Sequence, residues 1–180
     1  MNISSPTPAK NPFWDFSLEF YGREGVAEAF LSLQDEIGAD VNILLYCCWI
    51  AAEGAGEIEP AELAEIIAVI EPWQIGVVQS LRQIRRDMKH MEAISLAELS
   101  EQLRQAIKNC ELEGEQIEQW VLYQSGQNAF PASSLSPQVR AQNAESNLNN
   151  YIRMVYGDLS EKDQKLIQFI GQESAAAVSS

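Results

Sequence analysis

Basic residues are scarce in this chain. Twelve Lys and Arg stand against 26 Asp and Glu, and 12 − 26 gives a net charge of −14 with the single histidine neutral. A surface so acidic repels phosphate backbones and anionic lipid, which argues against nucleic acid and membrane surfaces as partners. Long apolar runs are missing as well. The longest, Ile43 to Ala52, has ten residues, about half of the roughly 20 that a spanning helix needs. The opening Met-Asn-Ile-Ser-Ser-Pro-Thr-Pro has no basic segment leading into an apolar one, so no secretory signal is expected and the chain reads as soluble and cytoplasmic. Cysteine is limited to the adjacent Cys47 and Cys48 and a distant Cys110. That pattern leaves no disulfide framework and no Cys-x-x-Cys pair, and the three read as small hydrophobes. The one histidine, His90, follows Asp87 by three residues. A metal site needs more nitrogen or sulfur ligands than this, and the paired Glu-x-x-His sequences of di-iron bundles are absent. His90 is therefore assigned to an exposed helix end, and no metal or cofactor is expected. Phosphate-binding and dinucleotide-binding glycine patterns and the Gly-x-Ser-x-Gly elbow are absent too. No catalytic residue can be named.

What is present is helical periodicity, with no strand-like alternation to compete with it. The most apolar stretch, Asp40 to Glu53, is hydrophobic nearly all round a helical wheel and should form the central helix of an all-α bundle. Its polar-tipped residues Asn42, Tyr46, Trp49 and Glu53 recur at spacings of four, three and four and fall within about 60° of one another. That seam reads first as a buried polar network that fixes helix register, and alternatively as the lining of a small pocket with Glu53 as a base or ligand-orienting group.

Residues 1–10 have the composition of a disordered arm. Asn11 and Pro12 then start a short helix carrying Phe13, Trp14, Phe16, Phe20 and Tyr21, read as an aromatic lid on the core. Val26, Phe30, Leu33 and Ile37 mark the next helix, closed by Gly38. Pro60 opens a helix with the stripe Leu63, Ile66, Ile67 and Ile70, which Pro72 interrupts. Trp73, Val77, Leu81, Ile84, Met88 and Met91 then share one face of a helix over 73–91. Ser95 and Glu98 form a capping box for a long helix over 96–124, with the stripe Leu96, Leu99, Leu103, Ile107, Cys110, Ile117 and Trp120 or Val121. The two should fold back as an antiparallel hairpin. A core domain over 11–125 is thus expected, then a linker at 126–136 and a helical appendage at 137–172. A frayed tail covers 173–180. The appendage is too small for a core of its own and must dock on the main domain or on a second copy. Its stripe is Ala141, Ala144, Leu148, Tyr151, Ile152 and Val155, followed by a short helix around Leu166, Ile167, Phe169 and Ile170.

Four of the 12 basic residues, Arg82, Arg85, Arg86 and Lys89, crowd one face of the 73–91 helix, roughly 130° from its apolar stripe. They read first as partners for the acids Glu111, Glu113, Glu115 and Glu118 of the neighbouring long helix. The other reading is a site for an outside anion or an acidic partner.

Three stretches carry a resemblance to a known family: Asn11 to Ser17; Asp40 to Leu45 with Trp49; and Pro72-Trp73 with Val77-Val78 and Leu81 to Arg86. Ile107-Lys108 and Glu111 to Glu113 extend it weakly. On these residues the chain resembles a small family of uncharacterised proteobacterial proteins, a domain of unknown function, over roughly residues 11–124. Members often carry proline just before the position of Leu81, where this chain has Ser80. The resemblance implies a compact bacterial helical protein and brings no activity with it. Two functions stay open on the residues. One is a non-catalytic interaction or adaptor protein, possessing a partner or a second copy bound through the appendage. The other is a helical small-ligand-binding protein, or an unrecognised enzyme, with an anion-binding basic face.

Overall fold

The computed structural model describes residues 11–91, 97–126 and 134–177. The expected disordered arm, Ser95 of the capping box, most of the linker and the last three residues lie outside the described residues. Every regular element among the described residues is helical, as an all-α reading requires.

Helix α1 (Pro12–Tyr21) starts where Asn11 Oδ1 accepts the Trp14 N–H at 2.8 Å. It lays Phe13 across α3 (Val41–Ala52), with ring centroids 5.7 Å from Tyr46 and 5.2 Å from Trp49. Helix α2 (Val26–Ile37) ends at Gly38, whose φ of 78° is the left-handed cap glycine adopts without strain. Two residues later Asp40 caps α3 by accepting the Asn42 N–H at 2.9 Å. From Asn42 to Ala52 every residue of α3 is buried, so the helix is central in fact. Glu53 is the exception in the expected seam: it is the exposed C-cap of α3 and lines no buried network. Glu53 lies one turn past Trp49, the last seam residue inside the helix, and at the cap it points to solvent although the wheel places it in line.

Helix α4 (Pro60–Trp73) buries Leu63, Ile66 and Ile70. Pro72 does not end it. The chain runs on through a π-helical segment, Gln74–Gln79, into α5 (Ser80–Asp87) and a 3-10 turn, Met88–His90. A π segment widens the hydrogen-bonded ring by one residue and so turns everything after it by about 100°. Ser80 donates its hydroxyl to the Ile75 carbonyl at 3.2 Å across this segment. Gln74 and Val78 are buried, while Ile84 and Met91, expected on the buried face, are about half exposed.

Helix α6 (Ala97–Gly126) packs antiparallel on this rod, with Arg82 and Arg85 opposite Glu111. Much of its expected stripe is turned outward: Leu99, Leu103, Cys110 and Ile117 are exposed, Ile107, Trp120 and Val121 are half-buried, and Glu111, Gly114, Glu118, Gln119 and Leu122 face inward.

Helices α7 (Pro137–Tyr156) and α8 (Glu161–Ala177) pack on each other and on α3. Close approach of the pair rests on Gly171, where a Cβ would stand 2.6 Å from Glu145 Cγ and 3.0 Å from the Ala141 carbonyl oxygen. Ala144, Leu148, Tyr151 and Ile152 are buried as expected, Val155 is exposed, and Asn147 takes an unexpected place among them. Its side-chain oxygen accepts the Ile58 N–H at 2.8 Å, and its amide donates to the Cys47 and Gly56 carbonyls, each at 3.3 Å. Tyr151 accepts the Asp40 N–H at 3.0 Å and neighbours Tyr156, whose hydroxyl donates to the Gly38 carbonyl at 2.8 Å. Residues 173–177 do not fray but continue α8, because Arg23 donates to the Glu173 and Ala176 carbonyls at that helix's otherwise open end.

Candidate functional site

The inward polar face of α6 meets the basic face of α5 beside a pocket of about 620 Å³. Trp14, Leu18 and Tyr21 from α1, Leu31 and Gln34 from α2, and Val41, Asn42 and Leu45 from α3 form one wall. Arg82, Arg85, Arg86 and Lys89 form the other, with Glu111, Leu112, Glu115 and Gln119 of α6. All four basic residues singled out in the sequence therefore line one cavity. Their spacing of three, one and three puts them on a single helical face.

They are not equivalent. Arg82 donates to Glu111 at 2.9 Å and to Glu115 at 2.6 Å, and Arg85 holds both oxygens of Glu111 at 2.5 and 3.1 Å. These guanidiniums are mostly buried and fixed in place. Burial pushes the Glu111 carboxyl up, but Arg85 and Arg82 outweigh it and hold the group below its usual value. For Glu115 burial wins over Arg82, and its carboxyl is raised. Arg86 reaches only the exposed Asp35, at 3.3 Å, and Lys89 has no ion pair among the described residues. The two outer cations are held more loosely than Arg82 and Arg85, Arg86 by an exposed pair with Asp35 and Lys89 only by the charge of Glu101 among the described residues. Glu113, expected as a partner of the basic face, is exposed.

Behind this wall lies a pair of carboxyls. Asp40 and Glu118 are both buried, and neither Asp40 Oδ2 nor either Glu118 oxygen has a partner among the described residues as long as both groups are ionised. Two carboxylates cannot stay charged side by side in a low-dielectric interior. Burial, and then the negative charge of Asp40, push Glu118 up to about 10. Burial raises Asp40 too, while a hydrogen bond from Glu118 opposes the rise. At neutral pH Glu118 therefore keeps its proton and is placed to donate it in a hydrogen bond to Asp40.

The seam divides. Asn42 accepts from the Gln119 side-chain amide at 2.8 Å at the pocket wall. Gln119 Oε1 itself has no partner among the described residues. Tyr46 and Trp49 are buried away from the pocket, and neither the Tyr46 hydroxyl nor the Trp49 indole N–H has a partner among the described residues. Gly126 lies so close that a Cβ there would be 2.8 Å from the Tyr46 oxygen. His90 is exposed, and no group of three or more potential metal ligands occurs among the described residues. The sequence marked Trp14 and Tyr21 as part of an aromatic lid but not as a pocket wall, and it gave no sign of the Asp40–Glu118 pair. Spacing within one helix carries no signal for groups brought together from α1, α3 and α6.

Helices built round a single buried one, with an ionic wall closing a cavity, define the class. The family model described as "Protein of unknown function (DUF2390)" matches residues 12–122, and the chain belongs to that family. No curated protein and no solved structure matches the chain. The matched residues contain both walls of the pocket. No described helix is long and apolar enough to cross a membrane.

Proposed function

We propose that the protein binds a small organic anion with an apolar body in the pocket between α1, α3 and α5. The observation that carries this reading is the pocket's two-sided lining. Trp14, Leu18, Tyr21, Leu31 and Leu45 offer an apolar and aromatic wall, and Arg86 and Lys89 offer cations not committed to buried partners. Its volume, about 620 Å³, falls in the roughly 300–1,000 Å³ of drug-sized ligand sites. The adaptor reading drew on a C-terminal stripe in need of a partner, and packing within the chain, largely on α3, buries most of that stripe, Val155 excepted. No nucleophile with an adjacent base lines the pocket, which favours binding over catalysis. We place the protein in the cytoplasm, where free thiols such as Cys47, Cys48 and Cys110 stay reduced.

Phenyl phosphate and octanoate serve as probes, with inorganic phosphate and octanol as controls, read by calorimetry. The two amphiphilic anions are expected to bind more tightly than either control. Replacing Arg86 and Lys89 together by alanine should weaken them about tenfold or more, since a hydrogen bond to a charged group is worth roughly 1.5–3 kcal/mol. Equal affinity of wild type and Arg86→Ala/Lys89→Ala for both anions, or no binding of either, refutes the reading.

A further inference from the structure

The side of the α5–α6 hairpin turned away from the pocket is apolar, and no described residue covers it. At 100° per residue from Glu111, which faces the arginines, Leu99, Leu103, Cys110 and Ile117 fall about 80° to 120° to one side. The pocket-lining Leu112 and Gln119 fall about 80° to 100° to the other. On α5 the same division, taken from Arg85, puts Ile84 and Met88 about 60° to 100° away on the far side from Arg86 and Lys89. Both apolar rows thus lie on one face of the hairpin. Ile84, Leu99, Leu103 and Ile117 are 49%, 60%, 56% and 40% exposed, and Cys110 is exposed as well.

We propose that this face binds a second copy of the same chain, two hairpins pairing about a two-fold axis into a four-helix bundle. Charge argues for a like partner. The chain carries a net −14, yet no Asp, Glu, Lys or Arg falls in this sector of either helix. Two copies therefore meet without placing like charges opposite each other, while their acids stay on the outer surfaces. Extent is modest. From Leu99 to Ile117 the face runs about 27 Å along α6, and Ile84 to Met91 adds a second helix over about 10 Å of that length, roughly 350 Å² in projection. The relief of exposed leucines and isoleucines raises the accessible area above that figure, toward the roughly 800 Å² per partner of a standard interface. A hairpin alone has no other layer against which to bury these rows.

Sedimentation equilibrium and thiol labelling test the proposal together. The full chain should sediment as a dimer of 2 × 20.1 = 40.2 kDa. Cys110, the exposed thiol beside the buried Cys47 and Cys48, should react with a bulky maleimide several-fold more slowly than in Leu99→Glu/Leu103→Glu. That variant should be monomeric with an unchanged circular dichroism spectrum, and Ile84→Glu, on the other helix, should act in the same direction. A monomeric wild type overturns the proposal and leaves the face to a different occupant. A dimer that survives all three substitutions, or one in which Cys110 labels as fast as in the monomer, overturns it equally.

Discussion

Replacing Glu118 by glutamine should stabilise the protein, and increasingly so as pH rises. In the unfolded chain the Glu118 carboxyl titrates near 4.5, and in the fold burial and Asp40 push it up to about 10. Between those values the native state holds a proton that the unfolded state has released, so wild-type stability falls as pH climbs. The contribution of this group is whole below pH 4.5 and is lost progressively up to about 10. One proton difference gives a slope of about 1.4 kcal/mol per pH unit. At pH 7 the loss amounts to about 3 kcal/mol relative to the acid side of 4.5. Glutamine is always neutral and keeps an N–H to donate to Asp40, so Glu118→Gln imitates the protonated acid and escapes this loss. Urea unfolding of both proteins at pH 6, 7, 8 and 9 should give stabilities that diverge by about 1.4 kcal/mol at each step. Parallel profiles would mean that Glu118 is ionised in the fold, and the retained proton would have to be abandoned.

Two further outcomes concern the C-terminal helices. Asn147→Leu removes the acceptor of the Ile58 N–H and the donor to the Cys47 and Gly56 carbonyls. Urea unfolding should show a loss of roughly 3 kcal/mol, and a loss under about 1 kcal/mol would mean that water replaces the amide. Deleting residues 134–180 should uncover the side of α3 on which α7 and α8 pack and yield a protein that aggregates or binds a hydrophobic dye strongly. A soluble, monomeric truncation as stable as the whole chain would contradict the docking.

Elements with their own punctuation were legible. Asn11 with Pro12, Gly38, Asp40 and Pro60 each mark a boundary through a local backbone requirement, and the structure places α1 to α4 within a residue or two of it. The four basic residues were legible as a group because one helical face carries them. Glu53 was misplaced because a wheel has no end, and the buried role of Asn147 was invisible because its partners come from α3 and the α3–α4 connection. The length of α8 was missed because Ser174 to Ala177 show little hydrophobic periodicity, although Arg23 caps the end they form.

The largest difference, the orientation of the hairpin, has a single physical root. Amphipathicity says that two faces of a helix differ, and only by convention that the apolar one is inside. On α6 the row Glu111, Glu115 and Glu118 faces inward because it has partners there: Arg82 and Arg85 for the first two, Asp40 and a proton for the third. Those arginines reach α6 because the π segment after Pro72 advances α5 by about 100°. Burying such charges costs desolvation that their mutual attraction only roughly offsets, so an arrangement of this kind contributes little net stability. Its effects are positional. An ionic inner seam leaves the wall of the pocket polar and holds Arg86 and Lys89 at its rim, and the same orientation sends the apolar rows of both helices to the opposite face. Under this account Arg82→Met/Arg85→Met/Glu111→Leu/Glu115→Leu, which removes all four members of the network together, should change stability by less than about 2 kcal/mol. Arg82→Met alone should cost about 3–5 kcal/mol, because it strips Glu111 and Glu115 of a buried counter-charge. Urea unfolding of the two variants and the wild type decides it, and a quadruple variant as unstable as the single one would show that the ion pairs are needed for stability itself.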